Sequence, residues 1–287
     1  MNFKKTRIAP TPSGFLHVGN ILSFSLTAGL ARRTGASILL RMDDLDRERA
    51  SIEYVEDIFE TLHFLGIPWD EGPGGVEDLE RSWSQVHRMG MYERALSQLR
   101  DGRAVYACSC SRSQLAHTGG SYPGTCRNRG ISLDAPEVNW RLRTDEGLPA
   151  EMRDFVVRKK DGFPAYQLSS VVDDLYYGVD LVVRGEDLRA STEAQLYLAK
   201  ALAAAGMPGA AEFSGVRFVH HPLLLAEGGE KLSKSAGATS IQYLRGQGYA
   251  AADVFALIGR LLGSAELPRD WEQLATLLFA RGYGPDR

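Results

Sequence analysis

Arg7-Ile-Ala-Pro-Thr-Pro-Ser-Gly14-Phe-Leu-His17-Val-Gly19-Asn20 is the stretch from which the fold is read. A short β-type run, Thr6 to Ile8, meets a Pro/Gly-rich turn, and a long apolar-periodic segment follows Asn20, so the order is strand, tight loop, helix. That order suits an anion. Glycines admit a ligand to the backbone, the first N–H groups of the helix and its positive end attract negative charge, and His17 adds a donor for a phosphate oxygen. The pattern also fits an ordinary strand-turn-helix connection in which His17 is a surface or core imidazole.

Working outward, the helix is expected over Ile21 to Arg33, with Gly35 as its stop, and Ser37-Ile-Leu-Leu-Arg-Met42 is a continuous apolar run of strand length. Such runs suit the buried centre of a parallel sheet, and Asp43 then sits just beyond a strand end, where open α/β sheets bind ligands. Further helices are expected at Ser51–Phe64, Tyr92–Leu99 and Thr192–Ala205, the last capped by Ser191 or Thr192. Leu181–Arg184 reads as another buried strand, and Phe163–Leu168 and Val171–Asp174 as a return to the core. Short helical patterns close the chain at Ile241–Arg245, Ala251–Leu262 and Trp271–Leu278. Far downstream, Lys231-Leu-Ser233-Lys234-Ser235 places two mobile cations in a Gly-flanked loop, suited to a polyphosphate.

Between these stretches lie all three cysteines, Cys108, Cys110 and Cys126, with His117 and Tyr122 among them. An odd count argues against a disulfide framework. Zinc is the sharper expectation, and three thiolates leave a fourth tetrahedral corner, for which His117 is the usual kind of ligand. Three reduced, buried cysteines without a metal are the alternative.

At 287 residues, with 44% hydrophobic and 24% charged residues, the chain has the composition of a soluble globular protein able to bury a sizeable core. No apolar run reaches the ~20 residues of a membrane span, and Met1-Asn-Phe-Lys-Lys lacks a following apolar region, so no membrane partner and a cytoplasmic location are expected. A net charge of −3 gives no general attraction to nucleic acid. Thirteen acidic residues between Asp43 and Glu80, against Arg47 and Arg49, should repel a phosphate backbone from that face. Arg127, Arg129, Arg158, Lys159 and Lys160 offer RNA another approach.

His17-Val-Gly-Asn20 and Lys231-Leu-Ser-Lys-Ser235 together resemble the two signatures of class I aminoacyl-tRNA synthetases. Arg7-Ile-Ala-Pro-Thr-Pro-Ser-Gly14, Leu39-Leu-Arg-Met-Asp-Asp-Leu-Asp46, Tyr166-Gln-Leu-Ser-Ser-Val-Val-Asp-Asp174 and Val183-Arg-Gly-Glu-Asp187 narrow this to the glutamate branch. They resemble motifs of glutamyl-tRNA synthetases and of their short paralogues, the glutamyl-queuosine tRNA(Asp) synthetases. The resemblance implies an α/β fold, a Rossmann-type parallel sheet with a zinc-containing insertion and a short C-terminal helical region. It divides the chain into 1–103 and 164–238 as the two halves of the catalytic domain, 104–163 as the insertion facing RNA, and 239–287 as the helical end, with no anticodon-binding domain.

The resemblance also implies roles. His17, Lys231 and Lys234 are the catalytic residues, and with Gly19, Asn20 and Ser233 they bind ATP, which brings Mg(2+). Arg7, Ala9, Thr11, Asp43, Tyr166, Ser170 and Arg184 bind L-glutamate, Arg7 and Arg184 supplying two cations for its carboxylates and Asp43 an anion for its ammonium. One structural zinc is held by Cys108, Cys110, Cys126 and Tyr122, the tyrosine replacing His117 as the fourth ligand. Asp43 stands where the family usually has Glu, one methylene shorter, and Asn20 replaces the second histidine of the wider signature. The implied activity is ATP-dependent activation of glutamate and its transfer to the queuosine base of tRNA(Asp), by a monomer. A truncated synthetase charging a tRNA 3′ end or another acceptor, and a silent RNA-binding paralogue, are the competing readings.

Overall fold

The structure is a computed structural model describing residues 2–115, 119, 121–224 and 240–284. Lys231, Ser233, Lys234 and His117 lie outside the described residues. The chain forms two compact units: Met1–His87, Val179–Asp187 and Arg217–Arg287 make the first, and Arg88–Gly178 and Leu188–Val216 the second.

The first unit is built on a four-stranded parallel sheet in the order β2-β1-β6-β7. Its strands are β1 (Lys5–Ile8), β2 (Ser37–Leu40), β6 (Leu181–Gly185) and β7 (Arg217–His221). The chain leaves β1 for β2 on one side and later returns to β6 on the other, so β1 and β6 flank the point where strand order reverses, the ligand edge of such sheets.

Helix α1 (Val18–Thr34) joins β1 to β2 and ends at Gly35, whose φ of 77° is left-handed. It starts earlier than expected because His17 acts as its N-cap. Apolar or small residues bury it nearly all round, from Val18 to Ala31, because the sheet covers one side and helix α10 (Trp271–Ala280) another. Gly29 permits that approach: a Cβ there would stand 2.3 Å from the Cβ of Ala275. Helix α2 (Ile52–Phe64), the three-residue α3 (Val76–Asp78), α8 (Ile241–Gly246) and α9 (Ala251–Leu261) complete the unit, and a single core runs from Ile8 through Ile21, Leu40 and Ile58 to Phe255 and Leu274.

The second unit holds an antiparallel sheet of β3 (Val105–Cys108), β4 (Asn139–Leu142) and β5 (Val156–Arg158). Its helices are α4 (Met89–Asp101), α5 (Arg112–Leu115), α6 (Tyr166–Tyr177) and α7 (Arg189–Ala204). Phe163–Leu168 and Val171–Asp174, expected to return to the core, do so largely within helix α6. Its residues from Gln167 to Asp174 are all buried, several of them polar, so no one-sided apolar stripe appears in the sequence. Helix α7 begins at Arg189, not Thr192, with no side-chain cap; Thr192 Oγ1 donates back to the carbonyl of Leu188 instead.

Candidate functional site

At the carboxyl end of the first unit's sheet, two buried arginines lie on adjacent strands. Arg7 on β1 is 6% exposed and Arg184 on β6 is 3% exposed. Arg7 Nη1 donates to the carbonyl of Val183 at 3.4 Å, which sets its guanidinium beside the residue preceding Arg184. Arg184 in turn stacks on Phe218 of β7, 5.0 Å from the ring centre. The loops beyond β1 and β2 run side by side: Arg41 N–H donates to Ile8 O and Asp43 N–H to Pro10 O, each at 2.9 Å. Ala9, Thr11 and Asp43 are thereby carried to the same edge as Arg7.

Asp43 is not a bare carboxylate. Arg41 Nε reaches its Oδ1 at 2.7 Å and Nη2 its Oδ2 at 3.2 Å, a two-point grip by a guanidinium that is 2% exposed. Gln85 Nε2 approaches Oδ1 at 3.5 Å, while its Oε1 accepts from Leu45 N–H at 3.2 Å. Next in the chain, Asp44 accepts from Ser84 Oγ at 2.5 Å and from Gln85 N–H at 2.8 Å. Arg41, Ser84 and Gln85 were not singled out from sequence. A charged residue inside the apolar run Leu39–Met42 was the available signal for Arg41.

His17 caps α1. Its Nδ1 accepts from Gly19 N–H at 3.1 Å, and Asn20 Oδ1 accepts from His17 N–H at 3.0 Å, a reciprocal capping box. Accepting at Nδ1 places the proton of the neutral ring on Nε2, which makes that nitrogen a donor. A Cβ at Gly19 would lie 2.8 Å from His17 Cε1, so the glycine also makes room for the ring. Ser240 pairs with His17 in an isolated antiparallel bridge, and Ile241 N–H donates to Leu16 O at 2.7 Å. Ser240 and Ile241, which follow the lysine motif in the chain, therefore lie beside His17.

Tyr166 and Ser170 lie on α6 of the second unit, one helical turn apart. Tyr166 is 42% exposed, and the Ser170 hydroxyl is buried with no hydrogen-bond partner among the described residues.

The second unit also gathers the cysteines. The sulfurs of Cys108, Cys110 and Cys126 lie within 4.8 Å of one another, and none is in a disulfide. Tyr122 Oη sits 3.4 Å from Cys108 Sγ and accepts from Cys126 N–H at 2.8 Å, and Arg141 stacks on the Tyr122 ring at 3.7 Å. Burial raises the Cys126 thiol, but the backbone N–H of Ser109 and hydrogen bonds from Cys110, Tyr122 and Cys108 outweigh it and bring the thiol down to about 7. Cys110 is pushed up to about 11 by burial and by its sulfur neighbours, and Tyr122 is raised by burial and by Cys108. Three convergent soft donors and a phenol oxygen fit a tetrahedral zinc ion.

The basic residues expected to face RNA are partly spent within the fold. Arg127 bonds Asp154 at 2.6 Å and the Thr144 carbonyl at 2.8 Å, Arg158 stacks over Trp140 at 5.1 Å, Lys159 pairs with Asp161 at 3.0 Å, and Lys160 reaches Ser109 O at 3.3 Å. Arg129 is exposed. In the same unit, Arg88 grips the fully buried Asp173 at 2.8 and 3.1 Å, and Tyr92 donates to the same carboxylate at 2.7 Å, tying α4 to α6.

The family model for the catalytic domain of class I tRNA synthetases (E and Q) matches residues 4–129 and 139–271. A glutamyl-Q tRNA(Asp) synthetase of Nitratidesulfovibrio vulgaris is 37% identical over 289 residues, covering 90% of this chain and 86% of that one. One from Parasynechococcus marenigrum is 40% identical over 260 residues, covering 90% and 82%. The solved glutamate-tRNA synthetase of Elizabethkingia anophelis matches with a TM-score of 0.73 at 22% identity, a likeness of fold. It is covered over 65% of its length by 96% of this chain, which thus spans just under two thirds of the solved protein. No described helix is long and apolar enough to cross a membrane.

Proposed function

Because the chain belongs to the class I tRNA synthetases for E and Q, we propose that it activates L-glutamate with ATP and transfers the glutamyl group to the queuosine base of tRNA(Asp), a reading in keeping with relatives named glutamyl-Q tRNA(Asp) synthetase. The observation that carries this reading is the convergence of Arg7, Thr11, Asp43 and Arg184 at the ligand edge of the parallel sheet. Two guanidinium groups answer the two carboxylates of glutamate, and Asp43, held by Arg41, answers its ammonium. Tyr166 and Ser170 keep the hydrogen-bonding role that the resemblance gives them.

In the first step an oxygen of the α-carboxylate attacks the α-phosphorus of ATP. A new O–P bond forms, the bond to the β-phosphate oxygen breaks, and pyrophosphate leaves with the electron pair. The protein's contribution is alignment and charge stabilisation. His17 Nε2–H donates to a phosphate oxygen, the N-terminal end of α1 favours the negative charge, and Lys231 and Lys234 neutralise the departing phosphates, with magnesium accompanying the ATP. In the second step a hydroxyl oxygen of the acceptor attacks the carbonyl carbon of the adenylate; AMP leaves, and the hydroxyl proton passes to solvent. The proposed setting is the cytoplasm, where ATP and tRNA are both available.

Zinc would be held by Cys108, Cys110, Cys126 and Tyr122. With four protein ligands it would have no open position, so its contribution would be to brace the second unit's sheet. Glutamate-dependent exchange of pyrophosphate into ATP tests the activation step. Exchange is expected without tRNA and should fall on the order of 10²-fold or more in Lys234→Ala; no exchange with glutamate in the unaltered protein would overturn the reading.

A further inference from the structure

The first unit contains a cavity of about 310 Å³ lined by residues that no step above uses. Pro12, next to Thr11 in the chain, and Asp44, next to Asp43, are among its lining residues, so the cavity adjoins the loops that carry candidate glutamate residues. Ile52, Val55, Val76 and Leu79 make an aliphatic wall, and Arg47 and Glu80 stand at its polar side.

Two features of this wall are unexplained by folding. Ile52 is 55% exposed at the first position of α2, where an acidic residue would serve the helix better. Leu79–Trp83 form a π-helical turn, a costly backbone form that recurs at functional sites. The polar side is built as well: Asp44 is 4% exposed and fixed by Ser84 and Gln85, and Arg47, 60% exposed, stands 3.7 Å from it.

We infer that this cavity receives the acceptor nucleoside of the RNA. The inference rests on the proposed transfer reaction, because an activated glutamyl group must find its acceptor hydroxyl within bonding reach of the glutamate site. A queuosine nucleoside is a flat deazaguanine bearing an amine-linked cyclopentene diol. Its apolar carbons suit Ile52, Val55, Val76 and Leu79, its amine and hydroxyl donors suit the carboxylates of Asp44 and Glu80, and a flanking phosphate suits Arg47. Although thirteen acidic residues lie between Asp43 and Glu80, the cavity offers a local place for a single nucleotide beside Arg47.

The test compares the unaltered protein with Ile52→Asp, which puts a carboxylate on the aliphatic wall at a helix position that favours one, and Arg47→Ala. Two assays are run on each: pyrophosphate exchange without tRNA, and labelled glutamate transfer to queuosine-containing tRNA(Asp). Both variants should keep exchange within about twofold while the KM for tRNA rises about tenfold, the scale of one lost base or phosphate contact. Unchanged transfer in both variants, or exchange falling in step with transfer, would overturn the cavity's role alone. Absence of transfer by the unaltered protein would overturn the reaction reading, and the cavity's role with it.

Discussion

Arg41 holds Asp43 at both carboxylate oxygens, at 2.7 and 3.2 Å, from a position that is itself 2% exposed. The carboxylate proposed to meet the ammonium of glutamate is thus oriented before any ligand arrives, and part of its charge is already answered. Asp43→Asn should raise the KM for glutamate about 10- to 100-fold, the scale of a lost hydrogen bond to a charged group. Arg41→Lys, which keeps the charge and loses the fork, should act in the same direction while the KM for ATP stays unchanged. Equal effects on both substrates would reduce Arg41 to a structural role.

Gly29 lets α1 and α10 approach. A methyl group there would lie 2.3 Å from Ala275 Cβ and 3.1 Å from Phe279 Cζ, both on α10. Gly29→Ala gains helix propensity but overpacks the contact, so a net loss of about 1–3 kcal/mol is expected by denaturant unfolding. The double variant with Ala275→Gly should recover part of it; no loss in the single variant would refute the close packing.

The cysteine cluster predicts one zinc per chain in protein purified without chelator. Cys126→Ser should lose the metal. Retention of zinc in Tyr122→Phe together with its loss in His117→Ala would give the fourth corner to the histidine, and a stoichiometry near zero in the unaltered protein would remove the site.

His221 ends β7, is 4% exposed, and its Nδ1 lies 2.9 Å from the Pro222 carbonyl. Burial lowers its pKa from the ordinary 6.5, the Pro222 carbonyl opposing. The unfolded chain therefore binds more protons than the folded one below that value, so this stabilisation is present above pH 6.5 and is lost as pH falls through it toward the depressed value. The unfolding midpoint should drop on acidification through this window, and His221→Gln should flatten the slope. An unchanged slope in the variant would assign it to other groups.

The sheet and its ligand edge were legible because a strand, a Pro/Gly turn and a capped helix leave strong local marks, and because an apolar run such as Ser37–Met42 has little alternative to a buried strand. What the sequence hid was the partnering of charges. Arg41 reads as an interruption of a strand until the fold brings its fork to Asp43, and Gln85 lies forty residues from the Leu45 N–H it binds. Helix α6 escaped because burial on all sides erases periodicity. His17 was legible as a residue of the anion loop, yet its Nδ1 belongs to the cap of α1, and only the geometry divides the ring into a nitrogen that builds the helix and one that can donate.

The most direct test of the proposed function is the transfer of radiolabelled glutamate to purified tRNA(Asp) with and without queuosine. Label is expected on the tRNA from normal cells and absent from the same tRNA made without the modified base. Equal labelling of the two, or strong labelling of tRNA(Glu) instead, would contradict it.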